Sequence, residues 1–484
     1  MNLLLTRLET HAATNPSAIA LSDDSCAITY GALPDVISGA ARRIGAGLKP
    51  GAGPVAVALD NGPAWALADL ALLRLGRVSL PLPPFFSPAQ TAHALADAGA
   101  GALLRPARPD EPGFEIAGRR LTLQPLDNPP VALHAGTSKI TYTSGSTGEP
   151  KGVCLSAAQM QSTAAAIVEA LGVEHAGVHV PVLPLAVLLE NIAGLYATLI
   201  AGGRYHAPGL ARLGFVDPFR PDFARMVSTL ADAGASSLIL VPELLRGLLA
   251  QLTRGGQRLE GLTFVAVGGA KVSPELVAQA RGLGVPVHEG YGLTECASVV
   301  ALNLPGAERA ATVGRALPHL DVSLADDGEI LVGPAPFLGY VGQPAPRGPV
   351  RTGDLGERDA DGFLRIAGRK SNTIITSFGR NISPEWVESE LLAQPEIAQA
   401  AVFGEASDRL SAILVPAAAT VGRDGLAAAV ARANGRLPDY ARVDRWLRGE
   451  PFAASTGELT GNGRLRRQAI WARRGGALSA QETA

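Results

Sequence analysis

Three observations place this chain in the α/β class. Short apolar runs alternate with longer helical patterns, this βαβ rhythm appears in two separate stretches, and after Arg369 it gives way to a compact α+β pattern. The expected architecture is a large N-terminal domain of helix-covered, mostly parallel sheets over residues 1–370, with a small β-rich subdomain. A small α+β domain over residues 371–484 follows. At 484 residues the chain is too long for one ordinary domain.

In chain order, residues 55–59 read as a strand, 63–75 as a helix with Pro63 in its first turn, and 78–82 as a second strand. The rhythm returns with strands at 237–241 and 262–267 and helices at 242–252 and 274–283, the latter capped by Ser273. Residues 321–339, with turn residues Asp326, Asp327 and Gly328, read as hairpin strands. In the last part, 384–392 and 426–434 read as helices and 398–403 and 410–415 as strands.

Forty-two basic against 44 acidic residues give a net charge of −2, which offers no basis for a nucleic-acid partner. Three widely spaced cysteines form neither a disulfide framework nor a zinc cluster, which fits a cytoplasmic protein. The first residues meet charge within a few positions and do not read as a signal peptide. The apolar run 180–203 is interrupted by Glu190 and Asn191, and Pro181 and Pro184 break its start. A charge at mid-membrane costs about 2.5–3.5 kcal/mol. The run is therefore read as a buried helix lining a pocket, and no integral membrane segment is expected.

The most informative stretch is 140–152. Apolar Ile140 and Tyr142 read as a strand feeding a loop in which Thr143, Ser144, Ser146 and Thr147 can donate hydrogen bonds. Gly145, Gly148 and Gly152 allow close backbone approach, and Lys151 brings charge. Such a loop holds phosphate, although it lacks the spacing of a Walker loop. The plainer reading, a Ser/Gly linker, does not account for Pro150-Lys151-Gly152 or for the apolar continuation Val153, Cys154 and Leu155.

This loop resembles the signature of the adenylate-forming superfamily, which includes acyl-CoA synthetases, luciferases and adenylation domains of peptide synthetases. Further elements match in order: Gly290-Tyr291-Gly292-Leu293-Thr294-Glu295, Arg351-Thr352-Gly353-Asp354, Gly368-Arg369-Lys370, the segment Ser377 to Pro384, and Leu459 to Arg464. The resemblance implies that ATP is held by Thr143, Ser144, Gly145, Ser146, Thr147, Gly148 and Lys151, with Tyr291 and Gly292 beside the adenine. Thr294 would bind phosphate, Glu295 Mg2+, and Asp354 and Arg369 the ribose. It also implies a C-terminal domain that swings about a hinge near Ser371. Gly269 and Ala270, in a Gly-Gly-Ala element, line the cofactor or acyl pocket on this resemblance and form a tight turn on local sequence alone. Gly379 is read equally as lining a pantetheine channel or as a turn. Most relatives place a lysine where this chain has Arg464, a planar fork that can also bind carboxylate and phosphate. Normal activation, slow adenylation, or a reaction other than CoA ligation each fit that change.

The expected catalytic residues are Arg464, Lys151, Thr294 and Glu295. Residues 183–190 lack the Asp that amino-acid-adenylating relatives carry, and Val187 stands where acyl-CoA synthetases resemble one another in having a histidine. Glu190 matches the long-chain type. Val187, Leu188 and Leu189 offer an apolar wall, worth roughly 25 cal/mol per Å² buried, or are simply core. The expectation is an ATP-dependent ligase that activates a fatty or other apolar carboxylic acid as its adenylate and passes it to a thiol. Coenzyme A is the favoured thiol, and the phosphopantetheine arm of an acyl carrier protein the alternative. An acyl-AMP ligase, closure of a β-hydroxy acid to a β-lactone, and a non-catalytic nucleotide- or acyl-binding module are the competing readings.

Overall fold

Apolar strands buried on both faces need helices above and below them, and the two βαβ stretches build two such sheets. A computed structural model describes residues 2–49, 51–143, 150–216, 221–334, 336–377, 380–460 and 463–480. One nine-stranded sheet runs, from edge to edge, Arg315–Ala316, Ala301–Leu302, Val287–Tyr291, Phe264–Val267, Ser237–Leu240, Val178–His179, Arg204–His206, Ile19–Ser22 and Ala27–Thr29. Its six middle strands are parallel, and its edge pairs are antiparallel. The eight-stranded sheet has the same plan. Thr137–Thr143, Ser79–Pro81, Val55–Val57 and Ala102–Pro106 are parallel neighbours, flanked by antiparallel strands that include Lys151–Ser156 and Gly339–Tyr340. The parallel character read from the sequence thus holds for the middle of each sheet, while short returns at the edges make antiparallel pairs.

The helix Pro63–Leu75 has the expected limits, with proline at its start and Gly76 in the left-handed region at its end. Ser273 Oγ accepts from Leu276 N at 3.2 Å and starts the helix Pro274–Gly282. Asp321–Leu324 and Glu329–Gly333 form the expected hairpin and continue through Val350–Arg358 and Leu364–Arg369 into a four-stranded antiparallel sheet, the β-rich subdomain.

The C-terminal part packs Pro384–Leu392 and Arg423–Asn434 on the three-stranded sheet Ile397–Phe403, Leu410–Pro416 and Val443–Arg448. A further helix, Arg467–Ala480, escaped the sequence reading. It forms because Ile470 and Leu478 bury against Phe452 and Leu459, and Arg474 Nε binds Glu458 Oε1 at 2.5 Å. None of the five apolar clusters among the described residues spans both parts of the chain: three lie before residue 367 and two after residue 373.

The apolar run 180–203 is helical only in its second half, as a π-helical Glu190–Tyr196 followed by an α-helical Ala197–Ala201. Pro181 and Pro184 lack the N–H groups a helix would need in the first half. Among the described residues no helix is long and apolar enough to cross a membrane.

A buried polar network ties these layers together. Lys139 Nζ donates to Asp69 Oδ1 at 2.8 Å and to Asn191 Oδ1, while Tyr196 Oη and Asn191 Nδ2 donate to Asp69 Oδ2 at 2.7 and 3.2 Å. Lys139 lies on the strand leading into the 144–149 segment, Asp69 on Pro63–Leu75, and Asn191 and Tyr196 on the π-helical turn.

Candidate active site

The expected site residues that are described, among them Thr143, Lys151, Gly269, Tyr291, Thr294, Glu295, Asp354, Arg369 and Arg464, border one cleft. Asp354 and Arg369 are register partners on neighbouring strands. Arg369 Nε donates to Asp354 Oδ1 at 2.8 Å, and Tyr291 Oη, at the end of Val287–Tyr291, donates to Asp354 Oδ2 at 2.7 Å. Burial and the adjoining Asp354 carboxylate push the Tyr291 phenol well above its ordinary pKa, so it stays a hydrogen-bond donor.

The short turn Thr294–Cys296 presents Glu295, whose Oε1 accepts from Tyr340 Oη at 2.8 Å. No described residue bonds its other oxygen. Lys151 opens the strand that follows residues 144–149, opposite Thr143, and its Nζ stands 5.5 Å from the centre of the Tyr340 ring. Tyr340 thereby joins the lysine to the acidic residue. Sequence reading missed it because its role comes from the pairing of Gly339–Tyr340 with Lys151–Ser156 across nearly two hundred positions.

Gly269 takes the left-handed φ of +82°, which turns its carbonyl toward the cleft. That oxygen accepts from Arg464 Nη2 at 3.4 Å. Desolvation in the cleft, and then repulsion from Arg369, lower the pKa of the Arg464 guanidinium, while Asp354 and Glu295 oppose the shift. Ala270 is exposed beside Gly269, and Gly292 and Thr294 line the same cleft. Ser144, Gly145, Ser146, Thr147 and Gly148, and likewise Gly379, lie outside the described residues.

Polar contacts hold the C-terminal part in the position that brings Arg464 to the cleft. Arg246 Nη1 donates to Leu392 O at 2.8 Å, Gln394 Nε2 to Glu275 Oε2 at 3.3 Å, and Arg436 pairs with Glu275. Lys271 Nζ donates to Ile366 O at 2.6 Å on the last strand of the β-rich subdomain.

An extension of the cleft runs under the nine-stranded sheet. Leu238, Leu240, Val265 and Val267 pack into the core on one face. With side chains alternating along a strand, Ser237, Ile239, Phe264 and Ala266 face the other way; all four line the cleft, which Leu238 and Val267 also border. Ala193, Ala197 and Ala201, one helical turn apart, line it from the opposite side, and Val187, Leu188 and Leu189 also border it. Glu190 does not: it is fully buried, with His179 Nε2 at 2.9 Å and Tyr205 Oη at 3.0 Å from its Oε1.

Comparison with known proteins places this arrangement. Residues 8–341 match the family described as AMP-binding enzyme, and residues 371–473 match the AMP-binding enzyme C-terminal domain. A putative fatty-acid–CoA ligase of Mycobacterium tuberculosis is 29% identical over 350 residues, spanning 60% of this chain and 61% of the relative. A feruloyl-CoA synthase of Amycolatopsis sp is 29% identical over 452 residues, 84% of this chain and 87% of that one. Among solved structures, the anthranilate CoA ligase AuaEII in complex with anthranoyl-AMP has a TM-score of 0.79 at 18% identity, covering 99% of this chain and 98% of its own. O-succinylbenzoate coenzyme A synthetase from Bacillus subtilis, in complex with ATP and magnesium ion, has a TM-score of 0.75 at 22% identity, covering 96% and 98%. At these identities the structural likeness shows the fold.

Proposed function

The chain belongs to the AMP-binding enzyme family, and from that premise we propose that it is an ATP-dependent acid–thiol ligase acting on an apolar carboxylic acid, with coenzyme A as the thiol. The carboxylate oxygen attacks the α-phosphorus of ATP, forming acyl-AMP and releasing pyrophosphate. The thiol sulfur then attacks the acyl carbon, the bond to AMP breaks, and the thiol proton passes to solvent. The observation that carries this reading is the continuity of one cleft, from the Tyr291–Asp354–Arg369 cluster through Gly269 to the channel faced by Ile239 and Ala266.

Each group has a part in that chemistry. Asp354, fixed by Tyr291 and Arg369, accepts from the ribose hydroxyls. Arg464 and Lys151 bring positive charge to the carboxylate and phosphates, where charge develops in the transition state. Mg2+ binds through one or two carboxylates plus substrate phosphates. Glu295, with one oxygen held by Tyr340 and the other unbonded among the described residues, fits that donor set. The ion, when bound, neutralises phosphate charge. The boundary near residue 370 and a hinge at Ser371 would let the C-terminal domain withdraw Arg464 and admit the thiol. The polar contacts between the two parts support that motion.

The test is mass spectrometry of the protein with Mg-ATP and a panel of acids, with and without coenzyme A. Acyl-CoA and AMP are expected. An acyl-adenylate that persists in the presence of coenzyme A moves the acceptor to a carrier protein's phosphopantetheine arm. ATP binding without AMP formation from any acid overturns the ligase reading.

A further inference from the structure

The acyl channel does not end on hydrocarbon. Its far end, about 13 Å from Gly268 at ~3.3 Å per strand residue, is formed where Ser237 and Phe264 pair at the amino ends of their strands. There Ser237 Oγ lies 2.9 Å from His179 Nδ1, and His179 Nε2 lies 2.9 Å from Glu190 Oε1. His179 and Ser237 are 4% and 6% exposed, and both line the cleft. His175, whose ring is tilted against Phe264 with centroids 6.2 Å apart, also lines it, and its buried Nδ1 has no partner among the described residues.

The proton positions follow from the acceptor at the end of the relay. Glu190 Oε1 accepts from Tyr205 Oη, so it is an acceptor toward His179 as well; Nε2 of the imidazole donates to it, and Nδ1 of a neutral ring accepts from the Ser237 hydroxyl. The lone pairs of Ser237 Oγ are left as an acceptor facing the channel. An unbranched hydrocarbon reaching this point would desolvate that acceptor, and the unpartnered His175 nitrogen, without compensation. A hydroxyl can donate to Ser237 and accept from a donor beside it.

We propose that the channel terminus selects acids bearing a hydroxyl at the distal end, with Ser237 as the contact and His179 and Glu190 as positioning residues. At about 1.25 Å of advance per carbon, from C–C bonds near 1.5 Å, the channel holds a chain of roughly ten carbons. Gly194 protects the relay: a Cβ there would lie 2.0 Å from Glu190 Oε1 and 3.0 Å from His179 Nε2. This inference rests on the ligase reading, because the selected group is the far end of the acid being activated.

The experiment compares hydroxydecanoic acid, hydroxylated at its terminal carbon, with decanoic acid, measuring kcat/KM for AMP formation. The wild-type protein is expected to favour the hydroxy acid by about tenfold or more, mainly through KM. Ser237→Ala should bring the ratio to within about threefold of unity, and Ser237→Thr, which keeps the oxygen, should retain the preference. Equal use of both acids by the wild-type protein overturns the proposal, as does a preference that survives Ser237→Ala. Adenylation of other acids but neither of these two also overturns it while leaving the ligase reading intact. AMP formation from no acid at all removes the ligase reading and the inference together.

Discussion

Replacing Lys139 with methionine isolates the charge of a buried ion pair from the packing around it. The Lys139 and Asp69 side chains are 2% and 1% exposed, and the lysine stem passes beside Trp65 and Tyr196, whose ring centres lie 5.9 and 5.2 Å from Nζ. Methionine keeps most of that contact and removes the cation. Asp69 then retains hydrogen bonds from Tyr196, Asn191 and Ser79 but no compensating charge. Breaking a buried pair from one side costs about 3–5 kcal/mol, a large part of a total stability of roughly 5–15 kcal/mol. Removing the orphaned charge as well, in Asp69→Asn/Lys139→Met, should restore most of the loss, giving a coupling of at least about 2–3 kcal/mol. Urea unfolding of the four proteins measures this cycle. A single variant within about 1 kcal/mol of wild type, or a double variant as costly as the two singles summed, would refute the argument. Lys139 lies on the strand that leads into residues 144–149, so under the proposed phosphate-binding role of that segment the single variant should also raise the KM for ATP.

Asp354→Asn should lower ATP-dependent adenylate formation by about a hundredfold or more, since Arg369 loses its counter-charge and an amide donor replaces one of the two oxygens that accept from the ribose; stopped-flow AMP formation within about threefold of wild type would contradict this. Arg464→Ala should slow adenylation by about a hundredfold or more while leaving thioester formation from supplied acyl-AMP nearly unchanged, and equal loss in both half-reactions would remove its assigned role. Burial raises the Glu289 carboxyl from 4.5 to about 8, against the pull of Lys271 and a hydrogen bond from Val272. Between those values the folded chain holds a proton that the unfolded chain has released, so stability falls as pH rises through the window. Glu289→Gln should flatten that slope, removing about 1–3 kcal/mol of pH dependence after allowance for partial solvation. Identical slopes in melting experiments would refute it.

What the sequence disclosed was local. Pro63 and Ser273 mark helix starts by chemistry that needs no tertiary partner, and the helices Pro63–Leu75 and Pro274–Gly282 begin where those residues direct. Tyr291, Asp354 and Arg369 were legible as motif members, although the hydrogen bonds joining them became visible only once two sheets met. Lys139 and Asp69 lie seventy residues apart, and nothing near either residue signals the other. The His179–Ser237 contact likewise exists only because their strands are neighbours. Helix Arg467–Ala480 was hidden by its arginines and by Gly475 and Gly476, which mask an apolar stripe that the neighbouring core completes.

The division of the apolar clusters between the two parts of the chain has a thermodynamic consequence. Hydrocarbon surface exposed on separation would give domain rotation a large positive heat-capacity change and a strongly temperature-dependent equilibrium. Here no buried apolar cluster among the described residues crosses the boundary, while hydrogen bonds and ion pairs, such as Glu275 with Gln394 and Arg436, do. Under the domain rotation proposed above, the balance between poses should therefore vary little with temperature and respond to ionic strength, since screening weakens the ion pairs directly.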